Sequence, residues 1–528
     1  MPRKRNALRL ERLCLTRICK SMEKYWYRPF EEQFGNTSRL LHVIGPFDHI
    51  SSELIQKVID VLVENKLFNP KYLQLLFSNH LNQLDLSKAN TSIRQNSIAE
   101  TIGIRCNNLT RLCLKHCSGL ANKSLVTMVT YLKKLQHLNL ASTKSDNQVL
   151  AAIAKNCKDL LTLDVACTQI RTLQPLLLEP NQPIGSLPCS KLRCVDFYLL
   201  MLPQEHVADF LKERSHILTD FIFDHMTETI DNLTHSETAC SFSDLALQNG
   251  SENDLQEKLD TSGELSVQSL KIRTLNCDLY HYSPENVQCL NATVLTCPDV
   301  TTVTLTNVSN GSHLLPLKNL ANLSKLSINL CEDCRDDGLL HYDTGIKPVL
   351  EKQGNKIISL ELHGFAVVDN RSVGVLCPNI KRIDLFQARL APLDDSVSED
   401  GQFFRKLEEF IYHLSEDEEV DPDEEASPLS FVLENASALR CLKLTKCAEL
   451  NDSIISKAIE EHSFTNLEVL QLSECNCVTC EGIESLLFTD NGLKEMKLDN
   501  CWGIHNSDFQ SCKSFVKKHN LDVNLVWV

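Results

Sequence analysis

The sequence has little of what several common protein classes require. No run of 18 or more apolar residues occurs in its 528 residues, so no membrane-spanning helix is expected. Residues 1–20 are basic and amphipathic, and their longest apolar stretch is far too short for a signal-peptide core. An excess of positive charge is also missing. Lys and Arg total 53 against 69 Asp and Glu, a formal net charge of -16, which disfavours nucleic acid or an anionic membrane as the main partner. Aromatics are only 6%, which leaves core packing to leucine and isoleucine. No phosphate loop, dinucleotide-binding glycine pattern, His-Glu-x-x-His or Gly-x-Ser-x-Gly is present, and nothing speaks for an enzyme. The expectation is a protein of the cytoplasm or nucleus whose 23 cysteines are mostly reduced thiols.

What the chain does have is a recurrent spacing, leucine-x-x-leucine-x-leucine. It appears at Leu109-x-x-Leu112-x-Leu114, Leu135-x-x-Leu138-x-Leu140 and Leu160-x-x-Leu163-x-Val165. It returns at Leu439-x-x-Leu442-x-Leu444, Leu467-x-x-Leu470-x-Leu472 and Leu493-x-x-Met496-x-Leu498. Successive copies lie about 23 to 34 residues apart, a period that means stacked repeats rather than separate closed globules. Weaker copies fill the middle, among them Leu192-x-x-Val195-x-Phe197 and Val267-x-x-Leu270-x-Ile272. In each copy the leucines point inward from a short strand and their neighbours point outward. The return leg is helical in the better copies: Val149, Leu150, Ile153, Ala154 and Cys157 make one buried stripe. The predicted fold is therefore an α/β leucine-rich-repeat solenoid, a horseshoe with its strands on the inside. It covers residues 80–528 and follows a small helical N-terminal module over residues 1–79. Two polar insertions break the period, at about 228–262 and at 416–425, where eight of ten residues are acidic.

Cys117, Cys331, Cys447, Cys475 and Cys501 end their strands, where a compact buried side chain is favoured. Stretches such as Cys117-Ser-Gly-Leu-Ala-Asn-Lys-Ser-Leu resemble the cysteine-containing leucine-rich repeats typical of intracellular ubiquitin-ligase receptors. Cys331-x-x-Cys334 and Cys475-x-Cys477-x-x-Cys480 invite a zinc reading. Yet the first cysteine of each occupies an inward repeat position, and no second ligand pair lies at finger-like spacing. No metal and no cofactor is expected.

Before the repeats, Leu10-x-x-x-Cys14-x-x-x-Ile18 resembles a BC box, the helix by which substrate receptors grip elongin C. Ile50-Ser51-Ser52-Glu53-Leu54-Ile55-x-x-Val58-Ile59 resembles a cullin box, with Ser51 or Ser52 and Glu53 as the helix start signal. The order of elements is similar to that of the Zer/Zyg leucine-rich-repeat receptors of elongin–cullin ligases, although Arg9 stands where a small residue is usual and Ser51 where proline is usual. The resemblance implies that Leu10, Cys14 and Ile18 contact elongin C and that Ile50, Leu54 and Val58 face a cullin. The same second stretch also resembles the opening of an F-box, which would replace elongin B/C by a Skp-type adaptor with its own cullin. The bland alternative is an amphipathic helix that caps the first repeat and shields its core.

Outward strand positions supply the candidate substrate-binding residues: Arg111, Lys115 and His137, then Lys381, Arg382 and Phe386, then Arg440, Lys443 and Lys494. Basic spots in an acidic protein point to an acidic or phosphorylated peptide among unknown protein substrates. The favoured function is the substrate-recognition subunit of a cullin-RING ubiquitin ligase. The alternative is a non-catalytic interaction scaffold.

Overall fold

A computed structural model describes residues 2, 10–35, 45–179, 186–237, 269–279, 284–330, 341–392, 403–414 and 427–528. The insertion at 416–425, residues 238–262 of the other insertion, Cys331 and Cys334 lie outside the described residues. The chain divides into two compact units, Leu8–Asn276 and one formed chiefly by Cys277–Val528. Each is an α/β leucine-rich-repeat stack: short parallel strands side by side, with helices or 3-10 turns as return legs.

In the first unit the strands are β1 (Gln83–Asp85), β2 (Arg111–Cys113), β3 (His137–Asn139), β4 (Thr162–Asp164), β5 (Cys194–Asp196) and β6 (Asp220–Ile222). Leu84, Leu112, Leu138, Leu163, Val195 and Phe221 stand in one parallel register, each at most 3% exposed. The start of β7 (Thr274–Asp278) joins β6 through Asp220 and Thr274. This overturns the copy expected at Val267-x-x-Leu270-x-Ile272. The chain uses Ile272-x-x-Leu275-x-Cys277, five residues beyond Val267-x-x-Leu270-x-Ile272, and buries Leu275 and Cys277 completely. Both frames fit the leucine pattern, and pairing with β6 chooses between them.

The second unit contains β8 (Thr302–Val308), β9 (Lys325–Leu330) and β10 (Ser359–His363). A two-residue pair, β11 (Val367–Val368) and β13 (Arg389–Leu390), forms a separate small sheet. The main row goes on with β12 (Arg382–Phe386), β14 (Glu409–His413), β15 (Cys441–Thr445), β16 (Val469–Ser473), β17 (Glu495–Asp499) and β18 (Asn524–Trp527). Its buried register runs Leu326, Leu360, Ile383, Phe410, Leu442, Leu470, Met496 and Leu525. Truncating one such leucine to alanine opens a hole between two packed layers and costs about 2–5 kcal/mol.

Two residues past the last inward side chain of a repeat, the chain leaves the sheet through left-handed backbone. His116, Ser142, Cys167, Gln387, Lys446, Glu474 and Asn500 all sit there, with φ between 50° and 65°. Gly364 (φ 79°) fills the same slot after β10, and a Cβ on it would meet the Leu330 side chain at 2.5 Å. Strand-end cysteines are tied down as well as buried. Cys117, Cys475 and Cys501 donate their thiols to the carbonyls of Leu86, Leu444 and Leu472 in the preceding repeat, at 3.9, 3.6 and 3.6 Å.

The return legs vary. Asp146 caps the helix Asn147–Asn156 by accepting from Gln148 N and Val149 N. That helix buries Val149, Leu150, Ala152 and Ile153, while Ala154, expected in the stripe, is half-buried. Between β4 and β5 the described return leg is a 3-10 turn, Gln174–Leu176, and Arg214 compensates for it. Its buried guanidinium donates to Leu176 O at 2.6 Å and Pro188 O at 2.8 Å and lies over the Phe210 ring at 4.2 Å. Burial lowers its pKa to about 10.

Candidate functional site

The N-terminal helices are α1 (Leu10–Ser21), α2 (Arg28–Phe34) after a π-helical turn, α3 (Ser52–Glu64) and α4 (Leu73–Leu76). Ser51 starts α3 as expected, its hydroxyl accepting from Leu54 N at 3.4 Å. α3 lies against β1 and also against α1. Ile55, Val58, Ile59 and Leu62 are at most 2% exposed. Ser52 bridges His80 O and Asn82 N, and Gln56 binds the backbone of Asp85. The cap of the first repeat is therefore α3.

α1 has two different faces. Leu15 and Cys19 are buried at 8% and 3% exposure, as is Met22 in the π-helical turn that follows, and Cys19 Sγ donates to Val58 O at 3.6 Å. At the rim Glu11 pairs with Lys57 and Arg12 with Glu64. The opposite face carries Leu10 at 76% exposure, Leu13 at 49%, and the exposed Cys14. Ile18 stands half-buried at the border. Positions 10, 13, 14 and 17 make one helical stripe, so Leu13 belongs with Leu10 and Cys14. The i, i+3 spacing carried that signal. The second predicted triplet fares differently. Val58 is turned into the packing of α3 and offers nothing to a partner, Ile50 is half-buried, and Leu54 is 37% exposed.

The predicted substrate residues fall on outward strand positions, one position before a strand, or, for Lys115, just beyond one. In the first unit Arg111 and His137 line a recess of about 420 Å³ with Gln56, Asp85, Asn139 and Asp164, and Lys115 lies beyond β2. His137 Nδ1 is 2.9 Å from Thr162 Oγ1. Burial, and then Arg111, holds its pKa below the usual value.

In the second unit the positive charges are largely neutralised by acids of the same and neighbouring repeats. Arg382 bridges Glu361, Asp384 and Glu409, and Lys381 binds Glu408 at 2.7 Å. Arg440 and Lys494 share Glu468 at 3.0 and 2.7 Å, and Lys494, then Arg440, lowers the pKa of that carboxyl. Among the described residues Arg111, Lys115 and Lys443 make no ion pair within 4 Å. Partners at i plus 26 to 28 residues are adjacent in space because one repeat separates them, which a linear search for basic spots does not register. Phe386, 38% exposed, stacks on His413 with ring centroids 4.4 Å apart and lies 5.5 Å from the His363 ring. This aromatic stack is an open surface of the kind found in protein interfaces.

No family model matches the chain, and no curated protein matches it. Among solved structures it is similar to a chain of the Rad7 and Elc1 complex in yeast, at 15% identity and a TM-score of 0.40, covering 96% of this chain and 91% of that one. A leucine-rich-repeat protein of Leptospira interrogans is similar at 16% identity and a TM-score of 0.36, over 84% and 95% of the two chains. An internalin of Listeria monocytogenes gives 12% and 0.29, over 92% and 98%. Among the described residues no helix is long and apolar enough to cross a membrane.

Proposed function

We propose that this chain is the substrate-recognition subunit of a cullin-RING ubiquitin ligase. α1 docks an elongin C-type adaptor, and the open sheet faces hold a protein substrate. The reading assigns the chain no catalytic step. Its support is the stripe Leu10, Leu13 and Cys14, which stays exposed on a helix already anchored by its other face. A helix serving only as a cap would bury that stripe, and here α3 performs the capping. Helix-in-groove recognition needs such a row of apolar anchors on a preformed helix. The F-box version is less well served, because α3 spends Ile55, Val58 and Ile59 on internal packing.

The test is recovery of purified elongin B/C on the immobilised full-length chain. Wild type retains it, and the double change Leu10→Asp with Cys14→Asp weakens recovery about tenfold or more. Absence of binding by wild type, or binding untouched by the double change, defeats the reading. Capture of a Skp-type adaptor that Leu54→Asp abolishes would shift the assignment to the F-box class. Recovery of neither adaptor favours a scaffold outside the ligases.

A further inference from the structure

The fold assembles a cysteine cluster different from the one visible in the sequence. Of Cys475, Cys477 and Cys480, the first is committed to the repeat core, with its thiol on the Leu444 carbonyl. Cys480 opens the helix Cys480–Phe488, and Glu484 follows one turn later on the same face. Cys512 reaches the same place from the neighbouring helix Asn506–Lys518. One ligating atom from each of Cys480, Glu484 and Cys512 lies within 4.8 Å of the other two.

We propose that Cys480, Glu484 and Cys512 form a zinc site. The spacing already suits the ion. Cys480 Sγ and Glu484 Oε1 are 3.6 Å apart. A thiolate at about 2.3 Å and a carboxylate oxygen at about 2.1 Å from one tetrahedral zinc would be separated by roughly 3.6 Å. The ion enters with little rearrangement of that pair. Two thiols lose their protons to solvent as two zinc–sulfur bonds form, and the carboxylate supplies the third bond. The donor set selects the cation: thiolates suit a borderline-soft ion such as zinc, whereas magnesium and calcium take oxygen ligands. Cys512 is buried, Cys480 is half-buried and Glu484 is exposed, so the fourth position faces water. The ion would pin the last two helices of the stack to each other, beside the terminal strand β18. No dependence on adaptor docking is involved. Cys512 comes from the next repeat, so the cluster cannot be seen among the sequence neighbours of Cys480.

The experiment is titration of the full-length chain, reduced and stripped of metal, with Co²⁺ and then Zn²⁺. One equivalent of Co²⁺ should give thiolate-to-cobalt charge-transfer absorption that Zn²⁺ displaces. Cys480→Ser and Cys512→Ser should abolish the absorption, Glu484→Gln should weaken affinity about tenfold or more, and Cys477→Ser should change nothing. Circular dichroism of the metal-free variants keeps loss of folding apart from loss of the site. Wild type without the absorption, or absorption that survives in Cys480→Ser and Cys512→Ser, overturns the proposal. So does recovery of a Cys480–Cys512 disulfide, without zinc, from cells lysed into an alkylating agent.

Discussion

The side-chain amide of Gln56 completes the edge of the first strand. Its Nε2 donates to the backbone carbonyl of Asp85, and its Oε1 accepts from the backbone N–H of the same residue, both at 2.9 Å. One carboxamide thus does for β1 what a neighbouring strand does for each later one. An uncovered edge of parallel sheet is a template for association, and a helix laid over it with a matching amide removes that hazard.

Gln56→Leu keeps the bulk and loses both hydrogen bonds. The first unit should lose about 1–2 kcal/mol, read as a lower urea midpoint with an unchanged m-value. Gln56→Glu keeps the acceptor but loses the donor, and it should be no better than leucine.

The two faces of α1 make a second, separable prediction. Leu15→Asp puts a charge into the contact with α3 and should cost about 3 kcal/mol or more. Leu10→Asp and Cys14→Asp alter exposed positions and should stay within about 0.5 kcal/mol of wild type. If thermal melts show Leu10→Asp as damaging as Leu15→Asp, α1 is a cap and the docking stripe has no basis.

Arg214 should be hard to replace. Arg214→Leu leaves the Leu176 and Pro188 carbonyls buried without a donor and should cost about 2–4 kcal/mol. Arg214→Lys should recover little, since both carbonyls bind the single nitrogen Nη2 of a planar guanidinium held over the Phe210 ring, and a more strongly hydrated ammonium has no such face to stack. Equilibrium unfolding of the three proteins decides this.

The strand-end and helix-end cysteines set an alkaline limit. Burial pushes the thiols of Cys117, Cys157, Cys297, Cys377 and Cys475 up to about 12, from an ordinary value near 9. Between those values the folded chain keeps protons that the unfolded chain releases. Stability should be level below about pH 9 and fall as pH rises towards 12. Alkylation at neutral pH, mapped by mass spectrometry, should mark the exposed Cys14 and Cys167 first and leave Cys117, Cys447 and Cys475 for the unfolded protein. Early labelling of Cys475 would contradict this.

The repeat frame was legible because strand alternation is local: inward Leu112, Leu138 and Leu470 declare themselves by spacing alone. The Ser51 cap and the stripe Val149, Leu150, Ile153 were legible for the same reason, since capping and helical periodicity act within one or two turns. Where two overlapping patterns share Ile272, the partner strand β6 decides the frame. Charge pairing on the open face was not legible, because Arg440 meets Glu468 and Lys381 meets Glu408 across a whole repeat.

Sequence alone thus determined that leucine units stack and that helices precede them. Tertiary structure decided that Gln56 closes β1, that Leu10, Leu13 and Cys14 remain uncovered, that Val58 does not, and that Cys480 meets Cys512 rather than Cys477. The division has one physical cause. Periodicity and capping are fixed by neighbours along the chain, whereas exposure and side-chain convergence are fixed by which faces the stacking brings together.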